Sequence, residues 1–241
     1  MTVASPGLAD RQAASTWEAK RKIFDDLYGR LTKRIVVAPT WRVAEFGIGK
    51  WGFARFYAQH VASVVGVDIE DYSAHHPGVE FVVSDGYTIP LADCSVDLTV
   101  SHSVLEHVVD LRQSLGEIDR TTRQNGYVYL TVSPLYYSGY GAHLRKDGKR
   151  LENWEHLDPA SEHYMSDNPL PGASTSGHAL NRLTSHWFLS EVGRLPWSIL
   201  AYELSFEAEP APPHIDRSQC SELDLALKGF RFVGRKERHL S

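Results

Sequence analysis

The chain has 241 residues, of which 42% are hydrophobic and 23% charged, values ordinary for one soluble α/β domain with a large core. Its formal net charge of −5 disfavours nucleic acid as the main partner, because nucleic-acid-binding proteins usually carry a basic face. The two cysteines are far apart in the sequence, which disfavours a disulfide framework or a metal site. The N-terminus is polar and no apolar run is long, which disfavours a signal peptide and a membrane span. We therefore expect a cytoplasmic protein.

The first part of the chain shows alternating strand and helix patterns. An amphipathic helix is predicted at 15–31, within an N-terminal segment 1–35. The region 42–134 follows, with further helices at 53–60 and around Leu111, Leu115 and Ile118, and a turn at Asn125-Gly126. Buried strands are predicted at 41–46, 63–68, 80–83, 96–101 and 127–132. This alternation indicates a parallel sheet covered on both faces.

The alternation of strand and helix patterns ends at 135–182, a stretch rich in Tyr, His, Gly, Pro and Asn. A long irregular segment inside a compact domain is usually a lid or binding loop, so we expect an acceptor-binding lid inserted after the fifth strand. The region 183–241 predicts a helix capped by Thr184, strands at 197–204 and 230–234, and a helix at 218–227. We expect one domain spanning 1–241.

A glycine loop follows the first predicted strand, Arg42-Val-Ala-Glu-Phe-Gly-Ile-Gly-Lys-Trp-Gly52. Gly47 and Gly49 permit a tight turn and close approach of a ligand, and Asp68 ends the next strand, where a carboxylate can bind ribose hydroxyls. The loop alone suits either a nicotinamide dinucleotide or S-adenosylmethionine. Glu45 favours S-adenosylmethionine, because a carboxylate repels a pyrophosphate but can hold an ammonium group, directly or through water.

Five blocks in order resemble the class I S-adenosylmethionine-dependent methyltransferases, specifically the type-11-like group. They lie within residues 42–134 and comprise the glycine loop, Val65-Gly-Val-Asp-Ile-Glu70, the stretch from Val83 to Leu98, Ser101-His-Ser-Val-Leu-Glu-His-Val108, and the strand from Tyr127 to Pro134. The resemblance implies a Rossmann-like, seven-stranded, mostly parallel sheet whose last strand, around 230–236, is antiparallel.

The resemblance also implies S-adenosyl-L-methionine as cofactor and a set of residues that bind it. These are Glu45, Gly47, Gly49, Asp68, Ile69, Asp85, Gly86 and Ser101, with Asp85 near the adenine amino group and Ser101 in the motif beside the methyl group. Two positions depart from the family pattern. Trp51 occupies the usual place of the third glycine, which falls at Gly52, and Arg123-Gln-Asn-Gly126 replaces the usual Lys-Pro-Gly-Gly turn.

Histidines are the candidate bases if the acceptor is a hydroxyl, which does not ionise near neutral pH. His102 follows the fourth strand, whereas His143 and His156 lie in the irregular segment, and His107 is more typical of packing. Tyr136, Tyr137, Tyr140 and Trp154 either line an acceptor pocket or fill a small core of the segment itself.

The sequence therefore predicts a methyltransferase acting on a small-molecule, sugar or natural-product acceptor, with methylation at oxygen. Its partner is this acceptor or a glycan, with no nucleic acid and no metal. Three alternatives stay open: N-methylation of a similar acceptor, a nicotinamide-dependent oxidoreductase, and an inactive methyltransferase-like binding module. The sequence lacks a Tyr-x-x-x-Lys pair, which disfavours the oxidoreductase. An inactive binding module would need no acceptor lid.

Overall fold

The computed structural model describes residues 8–143, 145–146, 149–150, 153–165 and 180–237. Seven strands form the main sheet: β1 Arg42–Phe46, β2 Ser63–Asp68, β3 Glu80–Val83, β4 Val96–His102, β5 Thr122–Val132, β6 Trp197–Phe206 and β7 Leu227–Lys236. Five α-helices accompany them: α1 Leu8–Thr32, α2 Ala54–Tyr57, α3 Leu111–Thr121, α4 Ser185–Val192 and α5 Glu222–Ala226.

The strand order in the sheet is β3-β2-β1-β4-β5-β7-β6. Neighbours from β3 to β5 pair in parallel, and β7 pairs antiparallel with both β5 and β6. The predicted seven-stranded, mostly parallel sheet with an antiparallel last strand is confirmed. Because β1 to β5 run in one direction, their carboxyl ends, which include Phe46, Asp68 and His102, meet at one edge of the sheet.

Local sequence explains most element boundaries. Asp110 accepts a hydrogen bond from the Gln113 N–H and begins α3, and Thr184 caps α4 in the same way, as predicted. The predicted start of the fifth strand at Tyr127 was wrong, since β5 begins at Thr122. The expected turn at Asn125 lies inside β5, where its φ is 59° and the pairing with β4 shifts register.

Segment 135–182 contains a small core of its own among its described residues. Its buried side chains pack with two from the C-terminal region, and the set comprises Tyr136, Tyr137, Ala142, Trp154, Leu157, Leu180, Ile215 and Leu225. The aromatic residues Tyr136, Tyr137 and Trp154 thus fill this core. A short antiparallel ribbon pairs Arg145–Lys146 with Lys149–Arg150, and residues 166–179 lie outside the described part, so the expected lid stays a prediction.

A buried lysine joins the last strand to the centre of the fold. The Lys236 Nζ donates to the Asp119 and Thr122 carbonyls at 2.6 and 3.1 Å and lies 3.2 Å from the Asp119 carboxylate. Only 4% of the Lys236 side chain is exposed, and the Trp197 Nε1 donates to the other Asp119 oxygen at 2.7 Å. One carboxylate therefore joins α3, β6 and β7.

We predict that Lys236→Met lowers the free energy of unfolding by about 3 to 5 kcal/mol, because it leaves a partly buried carboxylate without its counter-charge. Lys228→Met is the matched control, since Lys228 is exposed on the same strand. Chemical denaturation of both variants measures the difference. Equal, small effects of the two substitutions would contradict this account of the buried lysine.

Candidate active site

The glycine loop between β1 and α2 has the backbone that its sequence predicts. Gly47 and Gly49 have φ values of 73° and 53°, in the left-handed region that favours glycine. A Cβ on Gly47 would overlap the Val104 side chain, so the turn after β4 packs directly on the loop. A Cβ on Gly49 would meet no atom within 4 Å, so this side of the loop has room for a ligand.

Glu45 is hydrogen-bonded to the end of the glycine loop and thereby braces it. Its carboxylate, in a residue 2% exposed, accepts the Phe53 N–H at 2.8 and 2.9 Å, at the start of α2, where no side chain of α2 provides a cap. Burial raises the pKa of Glu45 to about 8, against the backbone hydrogen bonds that favour the ionised form. Glu45 therefore shapes the loop, and its contact with a cofactor ammonium group stays a prediction.

Asp68 joins the end of β2 to the same loop. Its Oδ2 accepts the Gly49 N–H at 2.7 Å, and its Oδ1 accepts the Ile69 N–H at 2.8 Å. A carboxylate has about four acceptor positions, so further hydrogen bonds from ligand hydroxyls can still form. The Gly49 N–H, by contrast, is already used, and a pyrophosphate at this position would meet a carboxylate instead of a free donor.

An exposed apolar surface lies beside Asp68. Ile69 is 65% exposed, and a Cβ on Gly86 would lie 3.5 Å from the Ile69 Cγ2, so these two predicted cofactor residues are neighbours. Asp85 follows β3 and accepts the Tyr87 and Thr88 N–H groups at 2.9 and 2.6 Å, which lowers the pKa of its carboxyl. A carboxylate next to an apolar surface suits the ribose and adenine of an adenosine.

Two polar side chains at the end of β4 differ in their hydrogen bonding. The Ser101 Oγ is buried with no hydrogen-bond partner among the described residues. The His102 ring is fully engaged, with Nε2 3.1 Å from the Tyr57 hydroxyl and Nδ1 3.0 Å from the Thr131 Oγ1. Burial lowers the pKa of His102 to about 3, so the imidazole is neutral and a weak base in this arrangement.

The other two predicted bases lie in different environments. The His156 Nε2–H donates to the Tyr136 carbonyl at 2.8 Å inside the small core, and burial lowers the pKa of His156 to about 4. The His143 ring lies 5.3 Å from the His107 ring, which belongs to the turn after β4. The structure thus brings His143, but not His156, to that turn.

Three residues that the sequence analysis did not select also belong to this region. The His76 Nε2–H donates to the Gly49 carbonyl at 2.7 Å and holds the loop from a second side. Glu106 is 1% exposed with both carboxyl oxygens unpartnered among the described residues, and burial raises its pKa to about 8. Lys20 of α1 interacts electrostatically with Glu45. Only Glu106 lay in a recognised motif.

These residues fit S-adenosylmethionine. The open side of Gly49, the Asp68 carboxylate, the exposed Ile69 and the unpartnered Ser101 hydroxyl are all found at one sheet edge. Within the described ranges, no group of three His, Cys, Asp or Glu residues is placed to hold a metal ion. In the same part of the chain, no helix combines the length and apolar character needed to cross a membrane.

Comparison with known proteins supports the same reading. Residues 44–130 match the family model described as "Methyltransferase domain". An "Uncharacterized methyltransferase" of Mycobacterium sp. (strain JLS) is 31% identical over 106 residues, 42% of each chain. A "Probable S-adenosylmethionine-dependent methyltransferase" of Mycolicibacterium smegmatis is 30% identical over 134 residues, 54% of this chain and 48% of that one. This chain therefore spans about half the length of the curated relatives it matches.

The fold of the chain is also similar to that of solved methyltransferase structures. The crystal structure of an S-adenosylmethionine-dependent methyltransferase from Mesorhizobium loti aligns with 86% of this chain and 96% of its own, at a TM-score of 0.57 and 18% identity. That likeness is one of fold alone, and the sequence match to the family model is confined to residues 44–130, less than half of the chain. Residues 44–130 therefore match a methyltransferase domain, and the chain has the fold seen in S-adenosylmethionine-dependent methyltransferases.

Proposed function

We propose that the protein transfers a methyl group from S-adenosylmethionine to a hydroxyl of a small-molecule, sugar or natural-product acceptor in the cytoplasm. The observation that carries the proposal is the glycine loop bound to Asp68 through the Gly49 N–H while the other side of Gly49 is open. The loop thus presents a carboxylate for ribose hydroxyls and offers little to a phosphate, which disfavours the nicotinamide-dependent alternative.

The cofactor, when bound, supplies a methyl group made electrophilic by a sulfonium. The residues of the chain bind and orient it: Asp68 accepts hydrogen bonds from the ribose, Ile69 and Gly86 contact the adenine, and Asp85 lies near its amino group. Gly47 and Gly49 let the backbone approach, and Ser101 offers a hydroxyl beside the reaction centre. The chief contribution to rate is alignment of acceptor and methyl group with water excluded.

An acceptor hydroxyl needs a base, and the three histidines differ in fitness for that role. His102 has both ring nitrogens engaged, and His156 is held in a small core with a pKa of about 4. His143 contacts the turn after β4, beside the loop that binds the cofactor. This placement favours His143 as the base, and an amine acceptor would need none, which keeps N-methylation as the alternative.

The described part of segment 135–182 borders a cavity with room for about one water molecule. Its lining is made by Tyr136, Tyr137, Leu157, Tyr164, Met165, Arg182, Asp216 and Gln219. The Arg182 guanidinium lies 5.5 Å from the centre of the Tyr136 ring, and the Tyr164 hydroxyl donates to Asp216 at 2.7 Å. Aromatic faces beside hydroxyl and charged groups suit sugars and phenols, and such an acceptor would enter this cavity only if its lining residues moved apart.

Isothermal titration tests the cofactor assignment. We expect S-adenosylmethionine and S-adenosylhomocysteine to bind with micromolar dissociation constants and nicotinamide dinucleotides to give no heat, because the loop donor that a pyrophosphate needs is taken by Asp68. Heat with a dinucleotide alone would overturn the proposal. Binding of S-adenosylmethionine without methyl transfer to any member of a hydroxyl and amine acceptor panel would favour the inactive binding module.

We predict that Asp68→Ala weakens S-adenosylhomocysteine binding by about 1 to 3 kcal/mol, because ribose hydroxyls and the Gly49 N–H lose their acceptor. Asp71→Ala is the matched control, since Asp71 lies three residues away and bonds only to Ser73 among the described residues. Titration of both folded variants gives the comparison. An unchanged dissociation constant for Asp68→Ala would remove Asp68 from the ribose site.

We predict that His143→Ala lowers turnover of a hydroxyl acceptor about 10²- to 10⁴-fold, the usual effect of losing a general base. Affinity for S-adenosylhomocysteine should stay constant, because the glycine loop and Asp68 are untouched. His102→Ala is the second test, measured in the same assay. Full turnover in both variants would exclude these histidines as bases, and a matched amine acceptor that is methylated faster would point to nitrogen.

A further inference from the structure

The N-terminal helix α1 packs against the glycine loop. The ring centre of Trp17 lies 5.1 Å from that of Trp51 in the loop and 6.4 Å from His76, which holds the loop. About two turns along α1, Phe24 lies 6.3 Å from Phe53, at the start of α2. The helix therefore covers the loop on the side where α2 begins.

Lys20 lies between these two contacts. Its Nζ is 5.1 Å from the centre of the Phe53 ring, and the side chain is half-buried. Among the described residues it has no hydrogen bond and no carboxylate within 4 Å. Burial lowers the pKa of Lys20, whereas the charge of Glu45 acts in the opposite direction, and Lys20 in turn lowers the pKa of His102. The ammonium group is thus close enough to act on both Glu45 and His102.

The other cations near the loop lie over other aromatic rings or form hydrogen bonds of their own, and Lys50, unlike Lys20, is exposed. The Arg55 guanidinium lies 4.4 Å from the Trp17 ring centre, the Lys50 Nζ lies 5.7 Å from that of Trp51, and Arg21 hydrogen-bonds Asp25 and Gln59. Among these four cations, Lys20 is the one that lies over Phe53, which ends the loop, and its charge also acts on Glu45. A half-buried ammonium without an ion-pair partner favours an anionic ligand.

We infer that Lys20 binds the α-carboxylate of the methionine part of S-adenosylmethionine and that α1 covers this end of the cofactor. The inference rests on the proposed function and adds a specificity residue to it. The methionine part of the cofactor is zwitterionic, with its ammonium and carboxylate groups attached to the same carbon atom. Lys20 offers a cation for the carboxylate. The Glu45 carboxyl lies at the same loop, where burial favours its neutral form and a ligand ammonium group would favour its ionisation.

Comparing two ligands isolates the carboxylate contact. S-adenosylhomocysteine carries the amino-acid group, and 5′-methylthioadenosine shares its adenosine and sulfur but lacks that group. We expect Lys20→Met to weaken S-adenosylhomocysteine binding roughly 10- to 100-fold, the range for a hydrogen bond to a charged group, and to leave 5′-methylthioadenosine binding unchanged. Lys20→Arg should keep most of the affinity for S-adenosylhomocysteine, because it keeps the charge.

The matched control is Lys22→Met, since Lys22 lies two residues along α1, has a side chain 80% exposed and pairs with Glu18. It should change neither dissociation constant, and thermal melts confirm that every variant is folded. Equal loss of both ligands in Lys20→Met, or loss of neither, would overturn the carboxylate contact and leave the proposed function intact. Binding of neither ligand to the wild-type protein would overturn both.

Discussion

The hydrogen bond from the Gly49 N–H to the Asp68 carboxylate is the interaction on which the rest of the site depends. It fixes the glycine loop to the end of the neighbouring strand, and Glu45 fixes the far end of the same loop through the Phe53 N–H. Two carboxylates thus use donors that a phosphate-binding loop would leave free. A phosphate would find these donors already used, whereas an adenosine joined to a sulfonium brings no phosphate to the loop.

Burial disfavours the charged forms of the ionisable residues in the site. Glu45 and Glu106 have pKa values raised to about 8, and the pKa of Lys20 is lowered, because each ionised form loses solvation. In such surroundings an ion pair with a ligand is less screened than on the surface, so one added charge changes affinity more. The same surroundings disfavour a protonated His102, which acts as a neutral link between the Tyr57 hydroxyl and Thr131.

The sheet and the glycine loop were predictable because their signals are local. Apolar runs such as that of β2 and the Gly47-x-Gly49 spacing depend only on neighbours in sequence. The partners of His102 were not predictable, since Tyr57 and Thr131 lie 45 and 29 positions away. The start of β5 was missed because a register shift accommodates Asn125 within a strand, where its sequence indicates a turn.

The residues proposed to bind adenosine and those proposed to bind the acceptor and the methionine end lie in different parts of the sequence. The matched domain, residues 44–130, contains the glycine loop, Asp68, Asp85 and Ser101, which are the residues proposed to bind the cofactor. Lys20 precedes this domain, and the cavity lined by Tyr136 and Arg182 follows it. Because α1 reaches the loop through Trp17 and the turn after β4 reaches His143 through His107, both flanks meet the same sheet edge. With the sites proposed above, differences in the flanks would change acceptor choice and binding of the methionine end without altering the adenosine site.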